Sequence, residues 1–255
     1  EAEILYKSVL KAFPTNKKAK QGLAGLKNPT KTIINLKLPQ EAIEKLVRFY
    51  NTGRLELVIE KAQKLTKIYP EEYVVWNLLG AASAGLGKVV EASQAFKRVI
   101  EINPKFADGY NNFGLACQQL GRREEAIKAY TIALKLNPNY ASAYNNLGNT
   151  LKEIGNLEEA IKAYKKALSL EPNYATGHNN LGNALKDQGK LDEAITAFNK
   201  ALHLEADNAA TYNNIGLTLK DQGKLEKAKE SFNRALSLKS DYAKAHRNLS
   251  TLVKY

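Results

Sequence analysis

Residues 141–174 read ASAYNNLGNTLKEIGNLEEAIKAYKKALSLEPNY, and the rest of the chain keeps their beat. Pro70, Pro104, Pro138 and Pro172 stand 34 residues apart. The slot of Tyr144 is held elsewhere by Trp76, Tyr110, His178, Tyr212 and His246, and that of Gly148 by Gly80, Gly114, Gly182 and Gly216. Gly155 has its equivalents in Gly87, Gly121, Gly189 and Gly223, Ala160 in Ala92, Ala126, Ala194 and Ala228, and Tyr164 in Phe96, Tyr130, Phe198 and Phe232. A fixed period of this kind is one supersecondary unit copied along an axis. Such a chain is scaffold and surface, without an enclosed core in which to bury an active site.

Each unit reads as two helices, for instance 141–154 and 157–170, with apolar residues recurring at three- and four-residue spacing. Gly155 supplies a left-handed stop between them. Gly148, Ala160 and Ala167 are small where two helices must approach closely, and the aromatics fill the larger gaps. Pro172 ends the second helix and opens the next turn. Neither helix hides its apolar stripe alone, so each repeat is stabilised by its neighbours.

This pattern resembles the tetratricopeptide repeat (TPR) family. Tyr144, Leu147, Gly148, Ala160, Tyr164, Ala167 and Pro172 match the family's slots, and only Leu151 departs from them, standing where a tyrosine is usual. The resemblance implies an all-α fold, a right-handed superhelical solenoid of antiparallel helix pairs. Full repeats fall at 73–106, 107–140, 141–174, 175–208 and 209–242. A degenerate copy at 39–72 keeps Gly53, Leu65 and Pro70 but has Ala42 in the aromatic slot and Leu46 in place of glycine. Residues 1–38 read as half a repeat (1–13, a second helix), a short helix at 17–26 and a linker over 27–38, while 243–255 match only a first helix that caps the array. The proline is replaced by Ala206 and Ser240 in two copies, which predicts weaker turns there. With no methionine and Glu1 first, the sequence reads as a fragment or processed form.

Composition narrows the function. No apolar run approaches the ~18–20 residues of a membrane span, and no signal-peptide pattern opens the chain. Cys117 is the one cysteine, in an inward slot of a first helix, so it reads as packing; we expect a cytoplasmic protein. The three histidines are scattered, two of them in the aromatic slot, and no cluster has metal-ligand spacing. The stretch from Gly80 to Lys88 imitates a phosphate loop but carries Ala82 and Val89 where that loop needs glycine and a hydroxyl. Neither an enzyme nor a cofactor is expected. Of the net charge of +12, eight lysines (Lys7, Lys11, Lys17, Lys18, Lys20, Lys27, Lys31 and Lys37) fall between Glu3 and Glu41 with no acid among them. They read either as a solvated face or as a patch for an acidic partner. The run has no arginine and only Tyr6 and Phe13 to stack on bases, which argues against nucleic acid.

The first helices carry the candidate binding residues. The fifth position of the repeat holds Asn77, Asn111, Asn145, Asn179 and Asn213, and the sixth holds Asn112, Asn146, Asn180, Asn214 and Asn248. Asn149 and Asn183 follow at the ninth, and Lys152, Lys186 and Lys220 at the twelfth, each lysine preceding an acid. Asparagine is a mediocre helix former, so its repetition mid-helix asks for a reason. A carboxamide donates and accepts, and can pair with a peptide unit's C=O and N–H together. The sixth-position set is similar to the asparagine ladder of the TPR region of O-GlcNAc transferases, which implies a concave groove that grips an extended peptide by its backbone. The other reading of these residues is structural, as bonds between helices. A clamp for a carboxylate terminus is disfavoured, since only Lys244 with Asn248 approaches it. The expectation is therefore a non-catalytic scaffold that binds an extended protein or peptide segment. The alternatives are the substrate-recruiting region of a larger glycosyltransferase or sulfotransferase, and a module that self-associates through its open ends.

Overall fold

The structure, a computed structural model, describes residues 2–13, 16–25 and 38–252. The described residues form fifteen helices and no strand. They divide into two compact units, Glu1–Leu120 and Gly121–Tyr255. The first contains α1 (Ala2–Ala12), α2 (Lys17–Gly25), α3 (Gln40–Asn51), α4 (Leu55–Ile68), α5 (Tyr73–Gly85), α6 (Val89–Ile102) and α7 (Ala107–Gln119). The second contains α8 (Arg123–Leu136), α9 (Ala141–Glu153), α10 (Leu157–Leu170), α11 (Ala175–Asp187), α12 (Leu191–Leu204), α13 (Ala209–Asp221), α14 (Leu225–Leu238) and α15 (Ala243–Leu252). Most of the linker expected at 27–38, with Lys27, Lys31 and Lys37, lies outside the described residues, as do Val253 and Lys254.

From α3 to α7 and from α8 to α15 each helix packs on the next in sequence order, as α1 does on α2, and successive first helices also touch, as α9, α11, α13 and α15 do. The reversal after α9 shows how the pairs are made. Gly155 takes φ +80°, a region closed to most side chains. Its N–H donates to Lys152 O at 3.0 Å and that of Asn156 to Leu151 O at 2.9 Å, which satisfies the last carbonyls of the helix. Asn156 then caps α10, its side chain accepting from Glu159 N–H.

What holds the pair together is the contact between the first-helix glycine and the second-helix aromatic. A Cβ on Gly148 would lie 2.6 Å from Tyr164 Cε1, one on Gly182 2.6 Å from Phe198 Cε1, and one on Gly216 2.5 Å from Phe232 Cε1. The three rings are fully buried, so none can swing away. In the second unit Ile161, Tyr164, Leu181, Leu185, Phe198 and Ile215 form one cluster across three repeats. In the first, Leu46, Val58, Leu65, Tyr69, Val75 and Leu79 do the same, with Phe13 and Leu38 packed against them.

The turns that lost their proline are not disrupted. Where Ala206 replaces it, Asn208 accepts from Thr211 N–H at 3.0 Å and caps α13. Where Ser240 replaces it, the ring of His246 bonds Ser240 O at 2.8 Å, as Trp76 bonds Pro70 O and His178 bonds Pro172 O, both at 2.9 Å. Facing a carbonyl, each of these rings must donate its N–H. The aromatic slot thus ties the incoming helix to the turn before it. At the far end, Leu249 and Leu252 of α15 cover Ala228 and Phe232.

Two outcomes follow from this packing. Gly182→Ala forces a methyl into the buried Phe198 ring and should cost about 1–3 kcal/mol, read as a lower midpoint in chemical denaturation. Deleting 243–255 should uncover Phe232 and cause aggregation or loss of helix in the 209–242 repeat, followed by light scattering and circular dichroism. A truncated chain that stays monomeric with unchanged melting would show that α15 caps nothing.

Candidate functional site

The asparagines at the fifth and sixth positions prove to be partners. Asn180 Nδ2 donates to Asn145 Oδ1 at 3.0 Å, Asn214 to Asn179 at 3.3 Å and Asn248 to Asn213 at 2.8 Å. In the first unit Asn112 donates to Asn77 Oδ1 at 3.3 Å. Each bond runs from the sixth position of one repeat to the fifth of the repeat before. This bond tells the two positions apart. Asn145 and Asn213 are only 3% and 4% exposed and Asn111 8%, so their carboxamides face a neighbouring helix, whereas the expected role was contact with a ligand. A carboxamide buried there must have a partner, and the next repeat supplies it. Asn179 accepts twice, from Asn214 and from the Thr211 hydroxyl at 3.2 Å.

The sixth-position residues Asn112, Asn146, Asn180, Asn214 and Asn248 are all partly exposed. Asn180 and Asn214 each commit one N–H to the ladder, which fixes the plane of the carboxamide. Their second N–H and their Oδ1 make no hydrogen bond among the described residues. Asn112 differs, because its Oδ1 also accepts from Asn111 Nδ2 at 3.4 Å. The hydroxyls of Thr150 and Thr218 turn back to the carbonyls of Asn146 and Asn214, at 3.1 and 2.8 Å, one turn further along the same helices.

At the ninth position the structure separates two residues that the sequence treats alike. Asn149 Oδ1 accepts from the Tyr164 hydroxyl at 2.8 Å, which holds it against its own second helix. In the next repeat Phe198 holds the slot of Tyr164 and has no hydroxyl to give, and Asn183 makes no side-chain hydrogen bond among the described residues. The signal was present in the sequence, because a hydroxyl in a slot that takes phenylalanine in three repeats must find a partner when buried. Burial, helped by the carboxylates of Glu153 and Asp187, pushes the Tyr164 phenol well above its ordinary range. Among the lysines, Lys152 reaches Asp187 of the next repeat at 3.6 Å, and Lys186 reaches the same carboxylate at 3.6 Å. Lys220 has no ion pair among the described residues. These pairs are about a third exposed, so they set charge balance more than stability.

Cys117 is fully buried, as its slot implies. The described residues contain no group of three His, Cys, Asp or Glu side chains able to hold a metal, and no helix long and apolar enough to cross a membrane.

The comparisons with known proteins follow the same frame. The TPR repeat model matches 114–155, 148–189 and 182–223, and the tetratricopeptide repeat models match 73–106 and 209–242. The chain belongs to the TPR family. No curated protein matches it. Among solved structures, MamA is 26% identical with a TM-score of 0.60, over 69% of this chain and 96% of its own. YrrB, a TPR protein with an unusual peptide-binding site, is 20% identical with a TM-score of 0.60, over 73% of this chain and 96% of its own. PilF from Pseudomonas aeruginosa is 16% identical with a TM-score of 0.71, over 83% of this chain and 96% of its own. The last two similarities speak to the fold alone.

Removing one hydroxyl tests the internal bond. Tyr164→Phe should lower stability by about 0.5–1.5 kcal/mol. Because the folded phenol ionises later than the unfolded one, its contribution is complete below about pH 10 and is lost as pH rises toward the folded value. The gap between wild type and variant in urea titrations should therefore narrow above about pH 10.

Proposed function

We propose that this TPR protein is a non-catalytic scaffold that binds an extended segment of a partner protein along its first helices, gripping the segment's backbone. The observation that carries this reading is the state of Asn180 and Asn214. Each has one N–H held by the preceding repeat and presents a second N–H and a carbonyl oxygen on a partly exposed face. One donor and one acceptor on a single fixed plane match the C=O and N–H of a peptide unit, and no side chain of the ligand is required for that pairing. Preorganisation also reduces the entropy lost on binding.

Adjacent first helices pack about 8–10 Å apart, and an extended chain advances about 3.3 Å per residue. Successive carboxamides would therefore meet every third peptide unit. Asn183 and Lys220, neither bonded nor ion-paired to another side chain among the described residues, extend the polar face, and the fifth-position asparagines support it from behind. MamA and YrrB, both TPR structures of similar repeat architecture, and the peptide-binding site described for YrrB favour a protein or peptide as ligand.

The test is the double variant Asn180→Ala and Asn214→Ala against an arrayed library of unstructured peptides. Losing two bonds of about 0.5–1.5 kcal/mol each should weaken binding per folded molecule about tenfold or more, beyond the lower melting that follows from leaving Asn145 without its donor. Unchanged binding per folded molecule, together with a large drop in melting, would make the ladder purely structural.

A further inference from the structure

Apart from the amide face, the first unit carries a groove of about 740 Å³ between α1, α3 and α4. We propose that it docks an acidic amphipathic helix of a partner protein. Its floor is apolar, built from Leu5, Phe13, Leu46, Phe49, Leu65 and Ile68. On α3 the lining residues Ala42, Lys45, Leu46 and Phe49 recur at three- and four-residue spacing, and on α4 Lys61, Lys64, Leu65 and Ile68 do the same. Two parallel stripes with a third helix beside them leave a trough in which a rod of helical diameter, about 10–12 Å, completes the packing.

Charge decides what kind of rod. Lys11, Lys45, Lys61, Lys64 and Lys67 line the trough, and among the described residues no acidic side chain does. Glu60, beside it and exposed, pairs with Lys64 at 2.6 Å and Lys61 at 3.3 Å, one carboxylate for two ammonium groups. Lys11, Lys45 and Lys67 have no ion pair among the described residues, and Lys45 Nζ stands 6.0 Å from the centre of the Phe49 ring. The five cations come from all three helices, so the anions they meet must be spread along both flanks of the occupant. A helix with an apolar stripe between rows of Asp and Glu has that pattern. A fatty acid, with one carboxylate at one end, does not. Lys11 belongs to the acid-free run near the start of the sequence, and the groove gives that charge a use.

A synthetic peptide of about 18 residues, about 27 Å as a helix, with leucines at helical spacing flanked by glutamates, is the probe. Its binding to the full chain is read by fluorescence anisotropy at low and high salt. The acidic peptide should bind at least tenfold more tightly than the same peptide with every Glu changed to Gln, and the difference should shrink as salt rises. Lys45→Glu with Lys64→Glu, both on exposed positions, should abolish that preference while circular dichroism stays unchanged. Leu5→Asp, at the exposed edge of that floor, should weaken both peptides. The proposal is overturned if the two peptides bind alike or if the charge reversal changes nothing. Displacement of the peptide by dodecanoate at lower concentration would assign the groove to a lipid. Dimerisation in light scattering that the charge reversal removes would assign it to a second copy.

Discussion

The approach of a bare backbone to an aromatic ring sets the geometry on which everything else in the repeat depends. At Gly148, Gly182 and Gly216 the space that a methyl would need is filled by a ring of the second helix. That contact brings the two helices as close as they can come, and burying the ring supplies roughly 1.5–3 kcal/mol of hydrophobic stabilisation each time. The close approach also turns each first helix to a fixed rotation. Its fifth position then faces the following repeat, and its sixth lies between the preceding repeat and solvent. The asparagine ladder is a consequence of this rotation.

The ladder joins structure to binding in one bond. Asn145, Asn179 and Asn213 accept from the repeat after them, and the donors Asn180, Asn214 and Asn248 are oriented as a result. Such side-chain bonds run along the array in the same direction as the apolar packing. Each repeat therefore stabilises its neighbour twice, by burial and by directed polar contact. The charged residues follow a looser rule. Asp187 serves both Lys152 and Lys186, whereas Lys220 and, in the first unit's groove, Lys11, Lys45 and Lys67 have no ion pair among the described residues.

The period, the helix pairing, the left-handed glycine stops and the inward placement of Cys117 were all legible in the sequence. They follow from local rules: which residue tolerates φ of +80°, which ends a helix, which spacing makes a stripe. The candidate site was legible only as a set of positions. The sequence put asparagines at both of two adjacent positions in four repeats and could not rank them, because residues one apart on a helix point about 100° apart and only the neighbouring helix decides which is covered. Asn149 and Asn183 occupy the same slot, yet one is bound by Tyr164 and the other is not, a difference that originates on another helix.

The sequence by itself determined the kind of object this is: a TPR array carrying amides on its first helices. Tertiary structure decided how those amides are used. A hydrogen bond between residues 35 positions apart, such as Asn180 to Asn145, exists only when two repeats stack, since no single repeat brings them within reach. The same holds for the lysine-lined groove, whose floor is drawn from three helices that are each only half of a surface. Local chemistry fixes the unit, and contact between units assigns each side chain to support or to recognition.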